Sequence, residues 1–400
     1  MNKDIKKLLF VNVFLAISGG LFYNFLELWL TSNNMSLSTV STVLSLSALI
    51  TVSTIFICSN IIKENKQKGF CVLLILIKFL IMMTLYFLYK TNINVLIKFL
   101  VMIDYAINVE ICASMYPLIS VISKDDKLFA RRSLLYEIFY YISALIATYL
   151  LGKNILSLSI NYNSYILISS IFLIIAGIIL YNVDLDKYNK KDERKNNYDI
   201  LFKLIKKIKK DNTTILYLLY IVFNDISFYG ITGILLTIII KEFNLIPVTA
   251  SYIKLFSCIL AVGIGLLILE KLTCKNNYIN LSIKLIGRII VYLLPIIYLC
   301  KYTIIIALAY TVLTSSSYVH ITDAPYINRL SKNEQLPFAN LREMIGYFSR
   351  AIGTFLCGLC LAYNFKYNFI IAIVFSSLAT IVIFKAQSRL NIERKDFNDR

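Results

Sequence analysis

The chain has 400 residues, 58% of them hydrophobic and 16% charged, with a mean hydropathy of +0.72. A soluble fold of this length cannot bury so large an apolar fraction, so composition excludes a soluble protein and makes lipid the solvent. The formal net charge of +18 would suit a nucleic-acid partner, but it is distributed as membrane topology requires, and no nucleic-acid role is expected.

Apolar runs of about 20 residues, the length that crosses a hydrocarbon core, recur along the chain. They predict transmembrane helices over 8–30, 39–62, 70–89, 95–117, 133–152 and 163–183, then 213–237, 249–270, 281–299, 303–324, 342–363 and 368–386. Helix is the only form expected, because lipid offers no partner to a bare backbone amide. Lys3, Lys6 and Lys7 precede the first span, which is too long for a signal-peptide core and has no Ala-x-Ala exit, so it should remain uncleaved. With the N-terminus inside, most of the 41 Lys and Arg fall on cytoplasmic segments, whereas Lys90, Lys153, Lys241, Lys301 and Lys366 lie on external loops. That asymmetry is the positive-inside rule, and it places both ends in the cytoplasm. Heavy use of Ile, Lys, Asn and Tyr fits an AT-rich bacterial genome, hence a bacterial plasma membrane.

Residues 184–212 separate the two sets of six spans. Ile200, Leu201, Leu204, Ile205 and Ile208 form one apolar stripe there, and Lys203, Lys206, Lys207, Lys209 and Lys210 cover the rest. This pattern predicts an amphipathic helix over residues 198–210, lying on the anionic inner leaflet. Most of the eight cysteines lie in apolar stretches, and Cys357-x-x-Cys360 has no second pair or neighbouring histidine, so packing is expected rather than disulfides or metal. No glycine-rich loop ends in Gly-Lys-Ser/Thr, so no nucleotide-phosphate cradle is present; no cofactor is expected, and energy must come from an ion or from the substrate's own gradient.

The chain repeats itself. EIFYYISALIATYLLG, from Glu137 to Gly152, matches EMIGYFSRAIGTFLCG, from Glu343 to Gly358, with Glu, Tyr, Ser, Ile, Thr, Leu and Gly in register. Pro117, Ser123 and Lys124 recur as Pro325, Ser331 and Lys332, and Leu37 and Val40 as Leu245 and Val248. The expected organisation is therefore a six-helix half over 1–183, a basic linker over 184–212 and a second six-helix half over 213–400. Parallel halves of this kind are the layout of a transporter that rocks about a central site.

Twelve spans in two repeated halves joined by a basic loop resemble the major facilitator superfamily over essentially the whole chain. The family's Gly-x-x-x-Asp-Arg-x-Gly-Arg-Arg loop corresponds here to Ser59 through Lys68, where basic charge survives without the aspartate or glycines; Glu270, Lys271 and Lys275 keep the acid-then-base order in the second copy. The resemblance implies a cytoplasmic gate of ion pairs using Lys63, Glu270 and Lys271, with Glu137 and Glu343 as latches. The exporter signature of the fifth helix is reduced to Ser143-x-x-x-Ala147 without its proline, and Ser349-x-x-x-Gly353 stands at the matching place, a small-residue pattern that suits close helix packing.

Charges inside the membrane need a partner or a wet cavity. Lys98, Lys254 and Lys284 lie close enough to helix ends to snorkel, whereas Lys78 is deeper and suits a structural ion pair. The remaining candidates for a substrate and proton cavity are Glu27, Asp104, Glu110, Asp225, Arg288, His320, Asp323 and Arg350, because the resemblance places spans 1, 4, 7 and 10 around that cavity. On span 1, Gly20, Tyr23, Asn24 and Glu27 share a face by helical spacing. Asp104 and Glu110 are six residues apart, about 120° around span 4, so only one can face a cavity squarely. Asp225, near the middle of span 7 with Tyr229 and Thr232 on its face, is the first choice for a titrating acid. His320 and Asp323 lie one turn apart and, with Arg288, resemble a proton-coupling cluster of the family; a helix-end contact competes with that role.

The expected function is proton-coupled transport of a small molecule by a monomer, with efflux of an amphiphilic or cationic compound favoured by the acids and by 28 Tyr and 25 Phe that can stack on flat ligands. Uptake of a metabolite and flipping of a lipid-linked substrate are the alternatives. A membrane enzyme using His320 as a base is the competing class, disfavoured because no nucleophile, paired acids or metal set accompanies it.

Overall fold

A computed structural model describes residues 3–23, 25–61, 67–91, 93–122, 139–140, 142–143, 163–184, 197–232, 277–316, 326, 329–330 and 332–398. Every extended element among them is helical: α1 (Lys3–Tyr23), α2 (Leu26–Ser32), α3 (Leu37–Ile61), α4 (Gln67–Leu88), α5 (Asn94–Ile122), α6 (Asn163–Tyr181), α7 (Asn197–Ile208), α8 (Asn212–Thr232), α9 (Asn277–Ile297), α10 (Lys301–Ser316), α11 (Lys332–Tyr363) and α12 (Lys366–Asn398). The fold is an all-α integral membrane architecture. Among the described residues seven helices are long and apolar enough to cross a bilayer: Lys3–Tyr23, Leu37–Cys58, Gln67–Leu88, Asn163–Tyr181, Asn212–Ile231, Pro337–Leu361 and Lys366–Asn391. Predicted spans 5 and 8 lie almost wholly outside the described residues, as do the later parts of spans 7 and 10.

Two predicted elements take a different form. Span 1 is not continuous: α1 ends at Tyr23 and α2 begins at Leu26, with Phe25 at φ −115° and ψ 2° between them. The i to i+7 relation that would set Glu27 beside Gly20 assumes an unbroken helix, and it does not carry across this break. Beyond α2, the Asn33 side chain donates to the Trp29 carbonyl at 2.8 Å and accepts from the Lys90 amide at 2.7 Å, tying the end of α2 to the turn between α4 and α5. Asn34 and Lys90 adopt φ of 62° and 59° in these turns.

The second is the linker helix α7. Leu201, Leu204 and Ile208 are buried, and the last two join a core with Tyr217, Tyr220, Tyr326 and Phe338. Leu204 and Ile208 of the stripe expected against lipid thus meet protein, because aromatic protein surface removes them from water as well as acyl chains do. Lys207 reaches Glu334 near the start of α11 at 2.9 Å. Asp211 then starts α8: its carboxylate accepts from the amides of Thr213 at 3.0 Å and Thr214 at 3.2 Å and from the Thr214 hydroxyl at 2.6 Å, an N-cap that satisfies otherwise partnerless donors.

The described helices divide into two compact units, α1–α6 in the one that begins at Met1 and α7–α12 in the one that begins at Arg194. In the first, α1 packs on α6, α3 on α5, and α4 on both α5 and α6. In the second, α8 packs on α11 and α12, and α9 on α10 and α12. The sequence repeat has physical counterparts in these contacts. A buried serine pair joins α1 to α6 in the first unit and α8 to α12 in the second: Ser18 and Ser169 with hydroxyls 2.9 Å apart, and Ser227 and Ser376 at 2.6 Å.

Glycine permits the closest crossings. A Cβ at Gly20 would collide with the Tyr140 carbonyl and the Ser143 hydroxyl. In the second unit a Cβ at Gly353 would sit 2.7 Å from the Ile226 carbonyl oxygen and 3.1 Å from the Gly230 amide nitrogen. These are the small-residue crossings that the repeated Ser143 and Ser349 segments imply. Gly353→Ala is expected to force α11 away from α8 and to lower stability by about 1–3 kcal/mol, the usual cost of overpacking. Thermal unfolding of the purified protein in detergent measures this, and an unchanged midpoint would show that the crossing tolerates a methyl group.

Candidate functional site

Each unit buries a cation on its third predicted span and meets it with a polar side chain from its first. In the first unit Lys78 of α4 is 1% exposed and Asp104 of α5 is 0% exposed. The ammonium lies 2.9 Å from both carboxylate oxygens and donates to the Tyr23 hydroxyl at 2.7 Å, while that hydroxyl donates to Asp104 Oδ2 at 2.5 Å. The Tyr23 ring also stands 4.8 Å from the ammonium. The break after Tyr23 places this residue at the end of α1, between α4 and α5. All three lysine donors have acceptors, the condition under which a buried ion pair is tolerated.

Glu110, 7% exposed, is also buried in the first unit, with Ser114 as its hydrogen-bond neighbour. The two acids of α5 point to different sides as their spacing predicts, yet both are enclosed, because α5 packs against α1, α3 and α4 together. α5 is long enough to span, and Asp104 with Lys78 explains how a helix carrying Lys98, Asp104 and Glu110 can do so. Glu27, at the start of α2, is half-buried.

The second unit has a different charge balance. Asp225 of α8 is half-buried. Its Oδ1 accepts from Asn224 Nδ2 at 2.9 Å, and Asn224 Oδ1 accepts from Arg288 at 3.0 Å, so fully buried Arg288 of α9 is joined to the acid through one amide. On its other side Asp225 meets α11. A Cβ at Gly346 would lie 3.1 Å from Asp225 Oδ2, so the missing side chain lets the carboxylate approach the helix. Arg342 and Arg350 are one turn before and one turn after that glycine on α11.

The Arg350 guanidinium is stacked between two rings, with its carbon 4.0 Å from the centroid of Tyr229 and 4.3 Å from that of Tyr347. Such stacking fixes a guanidinium plane. Arg342 pairs with Glu343, its neighbour in the chain. One turn before Arg288, buried Lys284 donates to the Tyr220 hydroxyl at 3.1 Å.

Of the residues expected to line the cavity, Asp225, Arg288 and Arg350 are gathered in the second unit, and Tyr23 and Asp104 in the first with Lys78. Asn24, His320 and Asp323, and the gate residues Glu137, Lys63, Glu270 and Lys271, lie outside the described residues. Glu343 is exposed beside Arg342. Sequence reasoning missed Arg342, Asn224 and Gly346. The four-residue spacing of Arg342, Gly346 and Arg350 was the available signal: two cations flanking a gap on one helix face.

No family model and no curated protein sequence matches the chain. Solved structures do. The nucleoside transporter NupG, as its D323A mutant, aligns over 96% of this chain and 99% of its own with a TM-score of 0.70 at 11% identity. A bacterial homologue of the iron transporter ferroportin, in an outward-facing state, aligns over 97% and 100% with a TM-score of 0.68 at 11% identity. The human organic anion transporter MFSD10 aligns over 96% and 100% with a TM-score of 0.65 at 9% identity. The chain has the major facilitator fold. Identities this low establish architecture alone, and its chemistry has to be argued from its own residues.

Proposed function

We propose that this protein is a secondary transporter that moves a small molecule across the bacterial plasma membrane by alternating access, coupled to protons through Asp225. The observation that carries the reading is the position of Asp225: a half-buried carboxylate within a predicted span, whose Oδ2 lies against Gly346 of α11, the helix that carries Arg342 and Arg350 one turn to either side of that glycine. Neighbouring arginines favour the ionised acid, whereas burial or their engagement elsewhere favours the protonated one, so an acid in this setting can exchange a proton as its surroundings alternate. The three structural neighbours are transporters by name, in keeping with this use of the fold.

Efflux of an amphiphilic or cationic compound is the direction to which the content of acids and aromatic side chains points. Uptake is favoured by a specific observation: Asp104, one of the acids that would attract a cation, is already neutralised by Lys78. Purified protein in proteoliposomes, with a proton gradient imposed in either direction and a labelled compound on one side, tests the function. Gradient-dependent movement supports coupled transport, and its sign separates the two directions: movement with the protons is uptake, and movement against them is efflux. Failure of any imposed gradient to move a compound that equilibrates through the protein would overturn proton coupling.

A further inference from the structure

The linker helix α7 spends its apolar stripe on protein and turns a different face outward. Leu201, Leu204 and Ile208 are buried, whereas Phe202 is 60% exposed and Lys203, Lys206, Lys207, Lys209 and Lys210 are all exposed. At 100° per residue Phe202, Lys206, Lys203 and Lys207 fall within about 140° of one another, opposite Leu201, Leu204 and Ile208. Lys209 and Lys210 prolong that face. Their amides donate to the carbonyls of Ile205 at 3.0 Å and Lys207 at 3.1 Å, so the chain keeps its helical path through them. At one edge Lys207 pairs with Glu334 of α11 at 2.9 Å.

The depth of this face follows from what lies next to it. Lys209 and Lys210 come immediately before Asn212, where the apolar stretch of α8 begins, and Glu334 comes just before Pro337, where that of α11 begins. Leu204 and Ile208 share a core with Tyr217 and Tyr220 of α8 and with Phe338 of α11, which holds α7 at the ends of those two spans. The lysines therefore stand at the height of phospholipid headgroups.

We infer that the outward face of α7 is a docking surface for anionic phospholipid, the lysines taking the headgroup phosphates and Phe202 the glycerol and first acyl carbons. The inference is independent of the transporter reading. Charge complementarity selects the occupant: a zwitterionic headgroup brings an ammonium that five lysines repel, whereas a headgroup of net negative charge brings none. A soluble anion would meet the lysines but leave Phe202 exposed. Each lysine close to an anionic surface strengthens binding by roughly fivefold, and the expected topology puts this face on the inner leaflet. The mode differs from the one that the apolar pattern of α7 suggests, because the stripe that would insert among acyl chains is occupied by tyrosine and phenylalanine. α7 is thus held to the membrane through its lysines. Lys207 can exchange Glu334 for a headgroup at little cost, since exposed ion pairs are weak.

The test is lipid retention by the full-length protein in a non-ionic detergent, read as lipid adducts by native mass spectrometry. Phosphatidylglycerol and phosphatidylcholine with the same acyl chains are titrated separately, and glycerol phosphate serves as the headgroup without chains. The expected result is that phosphatidylglycerol binds at least about tenfold more tightly than phosphatidylcholine, and that a variant combining Lys203→Gln, Lys206→Gln, Lys209→Gln and Lys210→Gln loses this preference with its unfolding temperature unchanged. The milder pair Lys209→Gln with Lys210→Gln should lose part of it, which keeps the test available if the fourfold variant folds poorly. Glycerol phosphate should not displace the lipid at matched concentration. Equal retention of the two lipids, or a fourfold variant that keeps the preference, would overturn the proposal; displacement by glycerol phosphate would overturn it in favour of a site for small soluble anions. None of these readouts involves a gradient, so their failure leaves the transport reading standing.

Discussion

Asp225→Asn is expected to collapse gradient-driven accumulation while sparing exchange. If one proton moves with each substrate molecule, a difference of two pH units can sustain a concentration ratio of about a hundredfold, since each factor of ten corresponds to roughly 1.4 kcal/mol. Asparagine keeps the shape and can still hydrogen-bond to its neighbours, but it cannot release a proton. The ratio at steady state should therefore fall to one, a loss of about a hundredfold. Equilibrium exchange of labelled against unlabelled substrate should continue, because it needs only the loaded carrier to reorient. The measurement is accumulation in proteoliposomes with an imposed pH difference, alongside exchange without one and the unfolding temperature of the variant. Undiminished accumulation in Asp225→Asn would assign the acid a structural role, and Glu110 or Glu27 would then have to carry the proton.

The magnitude follows from the arrangement rather than from the residue type. Asp104 is also a buried acid near a cation, yet Lys78 contacts both its oxygens and Tyr23 donates to one of them. Releasing such an acid to take up a proton would strand a lysine that has almost no exposure, and a stranded buried charge is costly. Asp225 has no lysine clamped on both oxygens; it has an amide on one and arginines at a distance of a helical turn along α11. The same residue type is thus clamped by a lysine in one unit and met by a neutral amide in the other, which is why the proposed proton exchange is assigned to Asp225.

Much of this was readable from the chain. Helices appear where apolar runs reach membrane thickness, because burial in lipid constrains length more tightly than any propensity does. The repeat is a feature of the sequence, and the serine pairs Ser18 with Ser169 and Ser227 with Ser376 are contacts that no pattern of identities displayed. The break between Tyr23 and Leu26 was not legible, since neither proline nor glycine marks it. The amphipathic pattern of α7 announced a helix but not which apolar medium its stripe would meet, because a leucine stripe is satisfied equally by acyl chains or by Tyr217, Tyr326 and Phe338. Partner choice was the hardest to read. Lys78 and Asp104 are 26 residues apart on separate helices, and only helix rotation and register, which local sequence does not encode, bring them together. The cluster at Gly346 sits between these extremes: the spacing of Arg342, Gly346 and Arg350 is local, and only the carboxylate that fills the gap comes from elsewhere.

Lys78→Met is expected to be the most destabilising single change among the described charged residues, costing about 3–5 kcal/mol, because it leaves Asp104 as a buried carboxylate without its counter-ion. Asp104→Leu should cost a similar amount by leaving the ammonium. The double variant Lys78→Met with Asp104→Leu should recover most of the loss, since two apolar side chains of similar volume need no partner in the space between α1, α4 and α5. Tyr23→Phe removes one hydroxyl that both accepts from Lys78 and donates to Asp104, and about 1.5–3 kcal/mol is expected for hydrogen bonds to charged groups. Unfolding in detergent gives the stabilities, and gradient-driven transport by each variant shows whether the network does more than hold helices together. A double variant that folds as well as the natural protein and still transports identifies the pair as structural. One that folds but cannot transport would move the coupling chemistry into the first unit, and a Lys78→Met protein as stable as the natural one would mean that Asp104 is satisfied without its lysine.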